Sequence, residues 1–140
     1  MVKKTIIVAL MVFSFFCSCQ TKPDVWDSSY PEERLADVRF VYMKLASYNG
    51  ISVTKFNWVK IPAGAATFGG EVYIFHGGVQ FTLRDMEFTC QFDAGTSYVV
   101  IGSQQDMLWG VSVHETSKPS RTTAENKIAF IPFKNQPKFN

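Results

Sequence analysis

Two histidines, His76 and His114, and two carboxylates, Asp85 and Glu87, are the side chains whose chemistry could reach beyond packing. A metal centre needs ligands at a spacing that makes them converge, and neither histidine belongs to an HxH or HExxH pattern. Glu115 follows His114 directly and would point to the opposite side of a strand, though Glu71 or Asp85 could approach through the fold. Asp85 and Glu87 stand two apart, hence on one strand face, with Arg84 adjacent. Acid–base work would need a pocket that raises one of their pKa values, and neither segment suggests one. A small hydrolase would require His76, His114, Asp85 and Glu87 to meet in space. No serine sits in a Gly-x-Ser-x-Gly context. Gly69-Gly70 and Gly77-Gly78 lack the strand-to-helix setting and the lysine of a phosphate loop. No catalytic residue, no metal and no cofactor is expected.

The aromatic residues carry more information. Trp58, Tyr73, Phe75 and Trp109 exceed what a small core strictly needs, and they form the candidate binding surface. On an exposed face such rings stack on sugars or anchor a protein partner; otherwise they fill the interior. The loops at Gly69-Gly70 and Gly77-Gly78 bracket one strand, and exposed loops on a rigid frame are where binding commonly resides.

The first 19 residues, MVKKTIIVALMVFSFFCSC, read as a leader. Lys3 and Lys4 precede an apolar run over residues 5–16. That run is about 12 residues, short of the roughly 20 a spanning helix needs, and suits a secretory signal. Without Lys3 and Lys4, 12 basic residues face 12 acidic ones, so no basic footprint for nucleic acid exists. Phe16-Cys17-Ser18-Cys19 resembles a bacterial lipoprotein signal, in which the cysteine after the cut is acylated. Such signals carry Leu-small-small-Cys; the looser box here is similar to that of spirochaete and some Bacteroidetes lipoproteins. The resemblance implies a signal peptide over residues 1–18 and lipidation, palmitate included, at Cys19. Cys17 is the rival acceptor, and an uncleaved N-terminal anchor is the alternative. Each buried methylene adds about 0.8 kcal/mol of membrane affinity, so two or three acyl chains would tether the domain permanently. Gln20 replaces the aspartate that retains enterobacterial-type lipoproteins at the inner membrane, which favours the outer membrane. Cys90, the one thiol left, cannot make an internal disulfide or a cluster and reads as a core residue between Phe88 and Phe92.

Residues 19–36 read as the acylated cysteine and a polar, proline-bearing tether, with Trp26 placed to dock on the domain or at the headgroups. A turn of helix or coil over 31–36 is expected to lead into a strand over 37–46, although Leu35, Val38, Tyr42 and Leu45 also keep helical spacing. Asn49-Gly50 signals a tight hairpin, and Pro62-Ala63-Gly64 breaks a strand. Short strands are expected at 67–68 and 71–75, with Gly69-Gly70 between them. The apolar parity changes between Leu83 and Met86, so Arg84-Asp85 must hold a turn or bulge. Met86, Phe88, Cys90 and Phe92 alternate with polar residues, Asp93-Ala94-Gly95 supplies turn chemistry, and an apolar strand follows from Tyr98. This stretch reads as a central β-hairpin. A polar loop over 102–107, a strand over 108–115, a solvated connection over 116–126 and a last strand over 127–133 complete the chain. The whole predicts an all-β fold, a small antiparallel sandwich of about seven or eight strands over residues 37–134, with a trailing tail over 135–140.

Ile61-Pro62-Ala63-Gly64, Phe92-Asp93-Ala94-Gly95-Thr96-Ser97-Tyr98 and Trp109-Gly110-Val111-Ser112-Val113 together resemble small exported bacterial β-sandwich domains. The chain looks like an uncharacterised spirochaete-type lipoprotein and is more distantly similar to PEGA-like and transthyretin-like modules. Asp93, Gly95 and Tyr98 are also similar to the tyrosine corner of Greek-key sandwiches, with one extra residue between glycine and tyrosine. The resemblance implies a non-enzymatic, lipid-anchored protein of the cell envelope, presenting a binding or structural surface to an envelope protein or a glycan.

Overall fold

The computed structural model describes residues 31–116 and 126–138. The leader, Cys19, Trp26, residues 19–30 of the expected tether and residues 117–125 of the expected connection lie outside these described residues. Leu35 and Ala36, expected at the end of the tether, are instead strand, and Ala36 is buried. A single 3-10 turn, Glu32–Arg34, leads into nine strands. They are β1 Leu35–Val41, β2 Met43–Tyr48, β3 Ile51–Phe56, β4 Trp58–Pro62, β5 Gly64–His76, β6 Val79–Phe92, β7 Ser97–Gln105, β8 Leu108–Thr116 and β9 Asn126–Pro132. The fold is an all-β sandwich of two sheets, ordered β4-β1-β7-β8-β9 and β3-β2-β5-β6.

Alternation builds the core. In β6, Met86, Phe88, Cys90 and Phe92 are buried while Glu87 and Gln91 are exposed. Val38 and Phe40 of β1 and Val111 and Val113 of β8 face them from the other sheet. Phe68 of β5, fully buried, has ring centroids of five neighbours around it: Phe40 at 4.9 Å, Phe88 at 5.6 Å, Tyr48 at 5.7 Å, Phe92 at 6.1 Å and Phe56 at 6.4 Å. Tilted and edge-on ring pairs at such spacings are the preferred ones, and they fill the space between sheets that stack ~10 Å apart.

Three two-residue hairpins have positive φ at both central positions: Asn49-Gly50, Gly77-Gly78 and Asp106-Met107. That geometry matches the twist of the strands it joins. Elsewhere the chain steps between sheets. Tyr42 (φ 58°) carries it from β1 to β2, and Asn57 carries it back from β3 to β4.

Several expectations need correction. The strand expected over 37–46 is two strands in different sheets, because Tyr42 turns the chain by a left-handed residue. The expected pieces 67–68 and 71–75 are one strand, β5, since Gly69 and Gly70 stay in the ladder with Glu87 and Met86. Asp93–Gly95 is not a hairpin turn: β6 and β7 belong to different sheets, so this is an arch across the sandwich. Gly95 N donates to Leu35 O at 2.9 Å and Asp37 N to Thr96 O at 3.1 Å, which lays β7 parallel to β1. The sandwich is therefore not purely antiparallel. Residues 102–105 are strand rather than loop. The shift of parity between Leu83 and Met86 is a bulge in which Arg84 and Asp85 together oppose Glu71.

The tail is part of the domain. Phe133 is buried against Phe88, with centroids 6.0 Å apart. Asn135 accepts from Glu87 N and donates to Asp85 O, while Gln136 accepts from Trp109 N and donates to Trp109 O. These amides act as a short added strand that ties β6 of one sheet to β8 of the other.

Two substitutions test this construction. Phe68→Ala removes the ring at the centre and should lower unfolding stability by ~3–5 kcal/mol in urea melts. Gly110→Ala would place a methyl against Ile131 O, which is backbone and cannot yield. The expected result is a loss comparable to Phe68→Ala, whereas Gly50→Ala, with open space around it but φ of 79°, should cost only ~1 kcal/mol.

Candidate functional site

The two sheet crossings at Tyr42 and Asn57 lie side by side, joined by Phe40 N donating to Asn57 O at 2.7 Å. Between them opens a shallow cleft of about 440 Å³ lined by Arg39, Phe40, Val41, Tyr42, Asn57 and Trp58. Trp58 is 40% exposed and Tyr42 55% exposed. The indole is fixed in place: its Nε1 donates to Asp37 Oδ1, and the Arg39 guanidinium lies 5.4 Å from the ring centroid. Cross-strand register explains this, since Arg39 faces Trp58 directly and Asp37 is its diagonal neighbour. Lys60 alongside is engaged by Glu32, and that hydrogen bond raises its pKa. The cleft thus offers a pre-oriented indole, a phenol, a guanidinium and an amide. Such a set can stack on a ring and hydrogen-bond its substituents.

The other aromatic candidates separate. Phe75 is 57% exposed and meets Tyr42 edge-on at 5.3 Å. Tyr73 is half-buried and donates to Glu71 Oε2 at 3.0 Å, the main cause of its raised pKa. Trp109 is buried in the core against Phe81 at 5.5 Å and leaves the candidate surface. Tyr42 and Arg39 were not singled out by sequence; the signal that could have marked Tyr42 is its position between two strands that face different sheets.

The residues weighed for catalysis do not meet. His76 is at the β5–β6 hairpin, 6.2 Å from the Trp109 ring. His114 is half-buried on β8, opposite Val99 and Lys127, with its Nδ1 buried and without a hydrogen-bond partner among the described residues. Glu87 pairs with Lys134 at 3.0 Å, and Asp85 sits in the bulge at φ 55°. Ser103, His76 and Asp106 line one depression of about 500 Å³ between the β5–β6 and β7–β8 hairpins. No hydrogen bond among the described residues joins these three, so the geometry of a nucleophile and its base is not formed there. No group of three His, Cys, Asp or Glu able to hold a metal occurs among the described residues.

Asp93, Gly95 and Tyr98 have structural work. Tyr98 Oη accepts from Asp93 N at 2.9 Å, tying the arch to the start of β7. Gly95 at φ 69° takes the left-handed position of the turn. Cys90 is 1% exposed, and burial pushes its thiol up to about 12.

Two pH effects follow, with opposite signs. Cys90 keeps its proton in the fold, while the unfolded chain releases it from about 9 upward, so its contribution to stability is lost as pH rises from 9 towards 12. His114 is held neutral first by desolvation and then by Lys127, so the unfolded chain takes up the proton first as pH falls below 6.5 and stability declines there. His114→Gln should flatten the acid side of a stability–pH curve and leave the alkaline side unchanged. Native Cys90 should resist alkylation at pH 8 and react once urea unfolds the chain. Comparison with protein-family models, with curated proteins and with solved structures finds no match.

Proposed function

We propose that this protein is a lipoprotein of the cell envelope, acylated on Cys19, whose sandwich serves as a non-enzymatic binding module. The leader and its Cys19 motivate the anchor, and Gln20 favours the outer membrane. The single observation supporting the binding role is the cleft beside Trp58. An indole left in solvent yet held by Asp37 and Arg39 has already given up its rotamer freedom, so a ligand does not have to order it. Acyl chains on Cys19 would keep that cleft at the membrane.

A second reading narrows the ligand to a glycan. It is favoured by the pairing of two exposed rings, Trp58 and Tyr42, with Arg39 and Asn57 between them. A pyranose presents an apolar face and a rim of hydroxyls, which this combination complements. An envelope protein with an exposed aromatic anchor is the other candidate partner.

Metabolic palmitate labelling should mark the protein and fail in Cys19→Ser; an unlabelled wild type would remove the anchor from the reading. Trp58 fluorescence should respond to the matching member of a glycan panel or to an envelope extract. Trp58→Ala should weaken that binding by ~1–3 kcal/mol while leaving urea stability within ~1 kcal/mol. Unchanged binding in the variant would dismiss the cleft.

A further inference from the structure

Eight large hydrophobic side chains are exposed among the described residues, and five of them gather at one end: Tyr42, Phe75, Val79, Met107 and Leu108. This end is made by the tips of the β5–β6 and β7–β8 hairpins, which flank one depression. Met107 is the most exposed of all, at 88%. It occupies the second central position of its turn at φ 66°, where asparagine or glycine is the ordinary residue. The fold therefore holds a long apolar side chain in water at a backbone position that favours a small polar residue. Strain of this kind points to a use outside the fold.

Two further features say what meets it. Residues 73–83 contain no Asp, Glu, Lys or Arg, and neither do residues 98–105; Asp106 is the one charge in the turn between β7 and β8. The side chains are also layered. Val79, Met107 and Leu108 stand at the tips, and Tyr42 follows Val41, which is level with Ile101, four residues short of Gln105. At ~3.3 Å per residue that is ~13 Å back from the tip. Arg39 and Trp58 are level with Val99, ~20 Å back. Aliphatic side chains outermost and a phenol behind them is the order from acyl region to headgroup, and Arg39 with Trp58 would stand beyond it in water. Two protruding tips whose turns carry Asp106 as their one charge suit a deformable bilayer better than the charged rim of a protein interface.

We propose that this end of the sandwich docks onto a lipid bilayer, with Phe75, Val79, Met107 and Leu108 at the acyl boundary and Tyr42 among the headgroups. The inference extends the anchored reading. The chain enters at the opposite end, where Asp37 is level with Ser97. The eight steps from Ser97 to Gln105 span ~27 Å. The 12 residues from 20 to 31 reach at most ~40 Å, so a domain held at Cys19 has enough chain to lay its far end on the same membrane.

The test uses the acylated full chain in vesicles of phosphatidylethanolamine and phosphatidylglycerol. An environment-sensitive probe is attached at Met107→Cys, at Val79→Cys, or at Ile51→Cys at the other end of the sandwich. Spin-labelled lipids should quench the probes at 107 and 79 several-fold more than the one at 51. Adding Phe75→Asp and Met107→Asp should abolish the quenching at 79, which excludes partition of the probe alone. Equal quenching at 107 and 51, or protection at 107 only when envelope proteins are added, overturns the proposal. Flotation with the vesicles reads the anchor separately: floating without quenching at 107 sinks docking and leaves the anchor, whereas neither signal sinks both.

Discussion

The contact on which the fold depends is the packing of rings around Phe68 between the two sheets. A sandwich holds only if the two inner faces fill the gap between them at crystal-like density. Here Phe40 reaches Phe68 from one sheet, while Tyr48, Phe56, Phe88 and Phe92 approach it from strands of its own sheet or its edges. The rings cannot slide past each other without opening voids, so they set the strand register as well as the stability. Phe68 faces Phe88 directly across β5 and β6. A slip of one residue in either strand would turn its ring to solvent.

That constraint explains where the irregular residues fall. Glu71 is opposed by both Arg84 and Asp85, and the extra residue lets Leu83 and Met86 both face inward. Tyr42 and Asn57 sit where the chain must leave one sheet for the other without drawing the rings apart. The C-terminal amides close the remaining side. Asn135 satisfies the backbone of β6 and Gln136 that of β8, which also shields part of an edge that would otherwise invite pairing.

Alternation was legible in the sequence because burial in a half-wet strand has a period of two, and β6 obeys it from Met86 to Phe92. The bulge at Arg84-Asp85 was legible for the same reason. Which sheet a strand joins was not, since the local chemistry of Asp93-Ala94-Gly95 serves an arch as well as a hairpin. Tyr42 hid in a run of β-formers because nothing about a tyrosine announces a left-handed residue. The tail hid because amide side chains that mimic a strand look like any polar terminus. At the candidate site, Trp58 and Phe75 were marked by type alone. Trp109 shares its type but lies on the face of Val111 and Val113, and that parity places it in the core.

The same crossings that protect the core also create the cleft. β1 and β4 end their pairing at Arg39 and Trp58: Asn57 leads at once to the other sheet, while β1 continues beside β7 through Phe40 and Val41 before Tyr42 crosses. Backbone that would have covered the indole is withdrawn, while Phe40 N bonded to Asn57 O keeps the two corners from spreading. Trp58 is therefore open for a topological reason and rigid for an electrostatic one. Tyr42 looks out at the cleft and touches Phe75 at the hairpin end, so one left-handed residue links the ligand-sized surface to the apolar tips. A substitution there would disturb both surfaces together, which makes Tyr42, rather than any catalytic-looking residue, the position on which the outward chemistry of this protein turns.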